Sequence, residues 1–336
     1  MIVDGRYEFF NEEAVVRTEQ GEYYSRMPLD VRAQMSEGAQ QIATLSATGA
    51  EIRFVLNEGC EEATLHAFCE SEYVTLGLYY GEFQGGWEYL GNYGLLRGEN
   101  AVPLRRPQNL EKLRREARAL GHVFSPDVMR LCIRSGRVRD VRLEGNVRPP
   151  RAQEVPSRRI LFYGSSITHG SLSHLPGSDF ATRVCARLGM DRINKGMAGN
   201  CLMEGAVADY LASRNDYEFC VYELGSNIPG SMPEEEFCGR VRYLLSAYAK
   251  AHPDKLLFVI DDLIVHEEGH ELRRQQVRAC LDVLNNPRFV YINGRDMLPG
   301  TRYLSADFVH PTVEGHIVMS EYLLRVMAEH GVRASV

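Results

Sequence analysis

The sequence predicts an α/β protein in two parts, an N-terminal β-sandwich over residues 1–150 and an α/β domain over 151–336. Three observations predict it. Residues 147–159, VRPPRAQEVPSRR, hold three prolines and few apolar side chains, which marks a linker. Before it lie short β-rich runs punctuated by glycine. After it, strand and helix patterns alternate, as in a parallel sheet covered by helices on both faces.

In the first part, residues 41–45, 51–56, 63–68, 73–80, 128–133 and 138–143 read as strands, and their spacing suggests a sandwich. Residues 109–120, charged and rich in Ala and Leu, read as one inserted helix. In the second part, the unbroken apolar runs 160–163, 219–224, 256–260 and 289–292 are expected of strands buried on both faces. Phe180, Val184 and Leu188 recur every four residues, a helical spacing. Ser231 and Glu234 form a capping-box pattern with Pro233 between them, opening a helix that carries Phe237, Val241, Leu244 and Tyr248. A last helix sets Val313, Ile317, Leu324 and Met327 on one face and stops at Gly331.

The chemistry centres on residues 160–170, ILFYGSSITHG. An apolar run breaks into Gly164-Ser165-Ser166 and a helix start, which sets a hydroxyl at the mouth of a sheet beside backbone N–H groups able to receive negative charge. Ester or amide cleavage by a serine also needs a base, a group that orients the base, and donors for the oxyanion. Ser166 is the candidate nucleophile and His310 the candidate base. Asp307, three residues earlier, is placed to hold the imidazole tautomer. Pro311 biases His310 toward an extended conformation and suits the first turn of the last helix, so His310 belongs in a loop at that helix's mouth. The backbone N–H groups of Ser166 and Gly199 and the side-chain amide of Asn227 are the candidate oxyanion donors. Singly these are common turn, loop and cap motifs. Their order, and their placement at strand ends where such sheets bind ligands, give them weight.

Other classes of function are disfavoured. Net charge is −7 with both signs mixed along the chain, and no basic stripe suggests nucleic acid. No signal-peptide pattern opens the chain and no apolar run approaches a membrane span, so a cytoplasmic protein without a membrane partner is expected. Eight scattered cysteines without a C-x-x-C pair read as free thiols. Residues 266–270, HEEGH, match the H-E-x-x-H zinc motif, but Gly269 weakens the helix it needs and Gln276 stands at the third-ligand position of the extended pattern. Neither a metal nor a cofactor is expected. The aromatic stretch Tyr79, Tyr80, Phe83, Trp87, Tyr89 and Tyr93 reads mostly as core, with Trp87 after Gly85-Gly86 as the one candidate for stacking on substrate.

The segments YGSSITHG, NKGMAGN, ELGSN and DFVHP resemble, in order, the four sequence blocks of the SGNH hydrolases, also called the GDSL esterase/lipase family. The resemblance spans residues 158–330. It implies a flavodoxin-like three-layer α/β/α domain, Ser166 as nucleophile, Gly199 and Asn227 as oxyanion donors, and Asp307 with His310 completing a triad. Gly-Ser-Ser stands where the family usually has Gly-Asp-Ser. More loosely, the chain is similar to the branch with an N-terminal, jelly-roll-like β-sandwich, which includes carbohydrate esterases and an acyltransferase. The reading is a serine esterase that removes a small acyl group, acetyl by expectation, from a carbohydrate or similar hydroxylated compound. An acyltransferase and, more remotely, a non-catalytic carbohydrate-binding protein are the alternatives. Homo-oligomerisation stays open.

Overall fold

The computed structural model describes residues 2–3, 5–45, 49–85, 92–134, 136–173, 175–264 and 269–334. Five parallel strands form the sheet of the second part, and in space the strand Asp191–Gly196 comes first, followed by Arg159–Gly164, Phe219–Glu223, Leu257–Ile260 and Phe289–Ile292. In chain order this is 2-1-3-4-5, a doubly wound arrangement whose reversal falls beside the first strand. Side chains alternate across it. Leu161, Tyr163, Cys220 and Tyr222 pack in one core with the helices Gly205–Ser213, Glu234–Ala251 and His270–Leu284. Ile160, Phe162 and Val221 pack in another with the helices Phe180–Leu188 and Val313–Glu329. The result is three layers.

The strand Asp191–Gly196 escapes a reading based on apolar runs, because its sequence is DRINKG. All six residues are buried nonetheless. It is the edge of the parallel sheet, and side chains from the first part cover that edge. Asn11 Oδ1 accepts from the Asn194 N–H at 2.9 Å, Asn11 Nδ2 donates to the Arg192 carbonyl at 3.3 Å, and Arg26 donates to the Gly196 carbonyl at 2.8 Å. Its charges are matched as well, Asp191 by Arg53 at 2.6 Å and Lys195 by Glu13 at 2.7 Å. Covering an edge strand removes a template for unwanted pairing.

In the first part, nine strands among the described residues form one antiparallel sheet, with the ribbon Ala14–Thr18/Gly21–Ser25 beside it. The two strands expected at 63–68 and 73–80 are one continuous strand, Glu62–Tyr80. Its register shifts between Cys69 and Tyr73. Core-facing residues are odd-numbered before the shift (Ala63, Leu65, Ala67, Cys69) and even-numbered after it (Val74, Leu76, Leu78, Tyr80). A bulge explains both the apparent break and the change of parity.

Three further expectations are corrected. Residues 41–45 are the end of a helix, Glu37–Leu45, because Ala39, Ile42 and Ala43 make an i, i+3, i+4 stripe that packs with Met27, Val31 and Met35 into the core of the parallel-sheet half. The capping box does not form: Pro233 is the N-cap of Glu234–Ala251 and no side chain caps it. In the last helix the buried face is His316, Met319, Ser320, Leu323 and Met327, whereas Ile317 is exposed. The helix 109–120 is present as Leu110–Leu120, and no helix among the described residues is long and apolar enough to cross a membrane.

Candidate active site

The strand Arg159–Gly164 ends in a one-turn helix, Ser166–His169, capped by Ser165, whose hydroxyl accepts from the Ile167 N–H. Two glycines let this helix sit tightly on the sheet. A Cβ on Gly196 would come within 2.4 Å of the His169 nitrogen, and one on Gly164 within 2.6 Å of Glu223 Oε2. Asn194 fastens the helix from the neighbouring strand, donating to the Thr168 carbonyl at 2.9 Å.

His310 lies in the loop before Val313–Glu329, ahead of the N-cap Thr312, so Pro311 precedes the helix rather than opening its first turn. That loop is closed on itself by the Ser305 N–H donating to the His310 carbonyl at 2.8 Å and by a bridge between Leu304 and Pro311. Within it, Asp307 Oδ1 accepts from the Ser305 hydroxyl at 2.7 Å and from the Val309 and His310 N–H groups at 2.9 Å each. Asp307 Oδ2 faces His310 Nδ1 at 2.7 Å, and His310 Nε2 faces Ser166 Oγ at 2.7 Å. Desolvation alone would raise the Asp307 carboxyl. The hydrogen bonds from His310, Val309 and Ser305 outweigh it and hold the group well below the usual carboxylate range. Such a line can deliver a proton from hydroxyl to imidazole while the carboxylate fixes the tautomer.

The other two expected residues sit at the carboxyl ends of the strands flanking Arg159–Gly164. Gly199 occupies a turn in which the Asn200 N–H donates to the Met197 carbonyl at 2.9 Å; its φ of 69° is the left-handed value that the third position of a type II turn requires. Open space lies where its Cβ would be, so the turn demands glycine there, whereas neighbouring atoms do not crowd it. Asn227 follows Phe219–Glu223 and accepts through Oδ1 from the Cys201 N–H at 3.2 Å, which links the two loops. Trp87 lies outside the described residues, as do His266, Glu267 and Glu268. Gly269, at φ 102°, is the N-cap of His270–Leu284, and His270 Nδ1 is 2.5 Å from Asp262 Oδ2. Among the described residues no group of three or more His, Cys, Asp or Glu side chains is placed to hold a metal ion.

Sequence reading missed Glu223, the last residue of its strand. Its carboxyl is buried and accepts from the Ser165 N–H at 2.6 Å, the Ser226 hydroxyl at 2.6 Å and the Thr168 hydroxyl at 3.1 Å. Burial raises its pKa, against the lowering effect of Ser165 and Ser226. The signal available was an acidic residue ending an otherwise apolar strand one step from Ser166's own. A cavity of about 220 Å³ between the two halves, lined by Tyr79, Phe124, Arg130, Cys132, Cys185 and Arg192 among others, does not include Ser166 or His310. Tyr79, from the aromatic stretch, donates to the Pro176 carbonyl at 2.8 Å, so the first half touches the loop that follows the Ser166 helix.

Residues 157–286 match the model of the GDSL-like Lipase/Acylhydrolase family. No curated protein matches the chain. Among solved structures, it is similar to the salicylyl-acyltransferase SsfX3 from a tetracycline biosynthetic pathway, with 15% identity, 98% of each chain covered and a TM-score of 0.76. It is similar to a putative GDSL-like lipase from Bacteroides ovatus (18% identity, 96% of this chain and 97% of that one, TM-score 0.64). It is also similar to a family two carbohydrate esterase from Clostridium thermocellum in complex with cellohexaose (14% identity, 98% of each chain, TM-score 0.59). The shared feature is the fold.

Proposed function

We infer that this chain, whose residues 157–286 match the GDSL-like Lipase/Acylhydrolase family model, is a serine esterase that removes a small acyl group, acetyl by preference, from a carbohydrate or related hydroxylated compound. The observation that carries the reading is the unbroken line Ser166 Oγ, His310 Nε2, His310 Nδ1, Asp307 Oδ2, with both separations 2.7 Å. Ser166 attacks the ester carbonyl while His310 takes its proton. The backbone N–H groups of Ser166 and Gly199 and the Asn227 amide receive the oxyanion. Collapse expels the alcohol, which His310 protonates. Water then attacks the acyl-Ser166 carbonyl with His310 again as base, releasing the acid and restoring the serine.

Residues 1–150, read as a sandwich module, would present Trp87 to a sugar ring; Trp87→Ala then raises KM for an acetylated sugar and leaves turnover of p-nitrophenyl acetate unchanged. A cytoplasmic setting accords with the eight cysteines, all free thiols. The overall likeness to an acyltransferase at a TM-score of 0.76 favours one second reading, in which an alcohol replaces water as acceptor. A screen of acetylated sugars and short p-nitrophenyl esters, with and without added alcohols, separates hydrolysis from transfer by its products. Ser166→Ala abolishes both activities and labelling by a fluorophosphonate; a parent protein that neither labels nor turns over any ester would make the chain a binding protein.

A further inference from the structure

We propose that Glu223 is a positioning residue whose buried carboxyl clamps the loop carrying Ser166 to the loop carrying Asn227 and so sets the separation of nucleophile and oxyanion donor. The proposal rests on the serine-esterase reading above.

The clamp has two jaws. On one side, Oε2 accepts from the Ser165 N–H at 2.6 Å and from the Thr168 hydroxyl at 3.1 Å, so it grips the turn immediately before Ser166 and the helix just after it. On the other side, Oε1 accepts from the Ser226 hydroxyl at 2.6 Å, one residue before Asn227. Room for the carboxyl exists only because position 164 lacks a Cβ, which would stand 2.6 Å from Oε2. Behind the second jaw, Ser226 Oγ lies 3.3 Å from Asp262 Oδ1, and Asp262 Oδ2 is held by His270 Nδ1 at 2.5 Å. The clamp is thereby anchored to the next strand's end and to the start of His270–Leu284.

An ordinary core position would not carry this group. Glu223 is 1% exposed, and none of its hydrogen-bond partners is a cation. A buried carboxyl without a counter-ion costs stability that an apolar side chain would not. Local rules are broken in this way at functional sites. The three donors it collects flank Ser166 and Asn227 rather than any other part of the core.

The test compares Glu223→Ala, Glu223→Gln, Ser226→Ala and Ser166→Ala with the parent, using p-nitrophenyl acetate as substrate and counting active sites by labelling with a fluorophosphonate to completion. A nucleophile displaced by about an ångström loses on the order of 10²-fold in turnover, so Glu223→Ala lowers kcat per labelled serine by that factor, with KM within about threefold. In Glu223→Gln the amide oxygen still accepts from Ser165 and the amide N–H₂ donates to Ser226, whose hydroxyl turns to Asp262. This variant therefore stays within about threefold of the parent, a rescue that distinguishes acceptor geometry from loss of packing. Ser226→Ala opens one jaw and leaves Glu223 in place, costing about tenfold in kcat, one hydrogen bond's worth. This variant also decides the matter if Glu223→Ala does not fold. Parent-like kcat in Glu223→Ala or Ser226→Ala overturns the clamp. Equal losses in Glu223→Ala and Glu223→Gln, with equal falls in melting temperature, assign Glu223 to general stability and overturn it too. Ser166→Ala with parent-like turnover overturns the esterase reading and the clamp with it, whereas an inactive Ser166→Ala beside an unimpaired Glu223→Ala removes the clamp alone.

Discussion

Asp307 is the residue on which the proposed proton path turns, and it is held by its own loop. Its Oδ1 collects three local donors while Oδ2 is left for His310, so the two oxygens have separate tasks. Asp307→Asn keeps an acceptor for the three donors and presents an N–H₂ to Nδ1, which forces the imidazole to carry its proton on Nε2, where it cannot take one from Ser166. Turnover is expected to fall about 10⁴-fold with little change in melting temperature. On the proposed mechanism Asn227→Ala removes one donor to the oxyanion, and it is expected to lower kcat by about 10²–10³ with KM nearly constant, as steady-state kinetics on a short ester would show. These residues were legible because their types and order announce acyl-transfer chemistry. Glu223 was not, since a glutamate ending a strand reads as a solvated terminus until the neighbouring turn is seen to close over it.

At the scale of elements, the last helix shows how burial overrides a pattern. Its apolar residues suggest one face, and the structure keeps Met327 of that face inward while turning Ile317 out, with His316 fully buried and Nδ1 accepting from the Phe180 N–H at 3.3 Å. Burial lowers the His316 pKa from 6.5 to about 4, against a raising effect from Asp179. The unfolded chain therefore binds a proton in the interval between those values while the folded one does not, so stability contributed by neutral His316 is complete above pH 6.5 and is lost as pH falls toward 4. The loss amounts to on the order of 3 kcal/mol. Denaturant titrations from pH 7.5 to 4 should show a shallower decline in His316→Gln, which keeps an acceptor for Phe180 and cannot ionise; identical slopes would refute the assignment. The helix Glu37–Leu45 and the strand Asp191–Gly196 were misread or unread for related reasons. The first hides its helical stripe in two alanines, and the second is buried although half of its residues are charged.

For the molecule as a whole, the joint between the two halves is ionic and buried. Arg53 donates to both oxygens of Asp191 at 2.6 and 2.8 Å and to Glu51 at 2.8 Å, and its guanidinium lies 3.6 Å above the Phe10 ring. Removing one partner strands the other charge out of water. Asp191→Ala is accordingly expected to cost about 3–5 kcal/mol in urea unfolding, and the double variant Arg53→Met/Asp191→Leu considerably less than the sum of the single changes. Residues 27–43 of the first part, which run into the helix Glu37–Leu45, also complete the core of the second through Met27, Val31, Met35, Ala39 and Ala43. The parallel sheet thus takes both its edge cover and part of the layer on one face from residues that precede the linker.

By itself the sequence determined the α/β character of the second half, the four segments proposed to carry the chemistry, and the identities of Ser166, Gly199, Asn227, Asp307 and His310 as candidates. These are written in local patterns: apolar runs of strand length, glycines at turns, and residue types that acyl transfer requires. Only the tertiary structure decided that Ser166 and His310, 144 positions apart, stand 2.7 Å from each other. It alone made a strand of DRINKG, and it alone brought Glu223 beneath the turn that carries Ser166. The reason is physical: a charged or acidic residue declares exposure in one dimension, and its burial becomes affordable only when distant donors and counter-ions meet it in three.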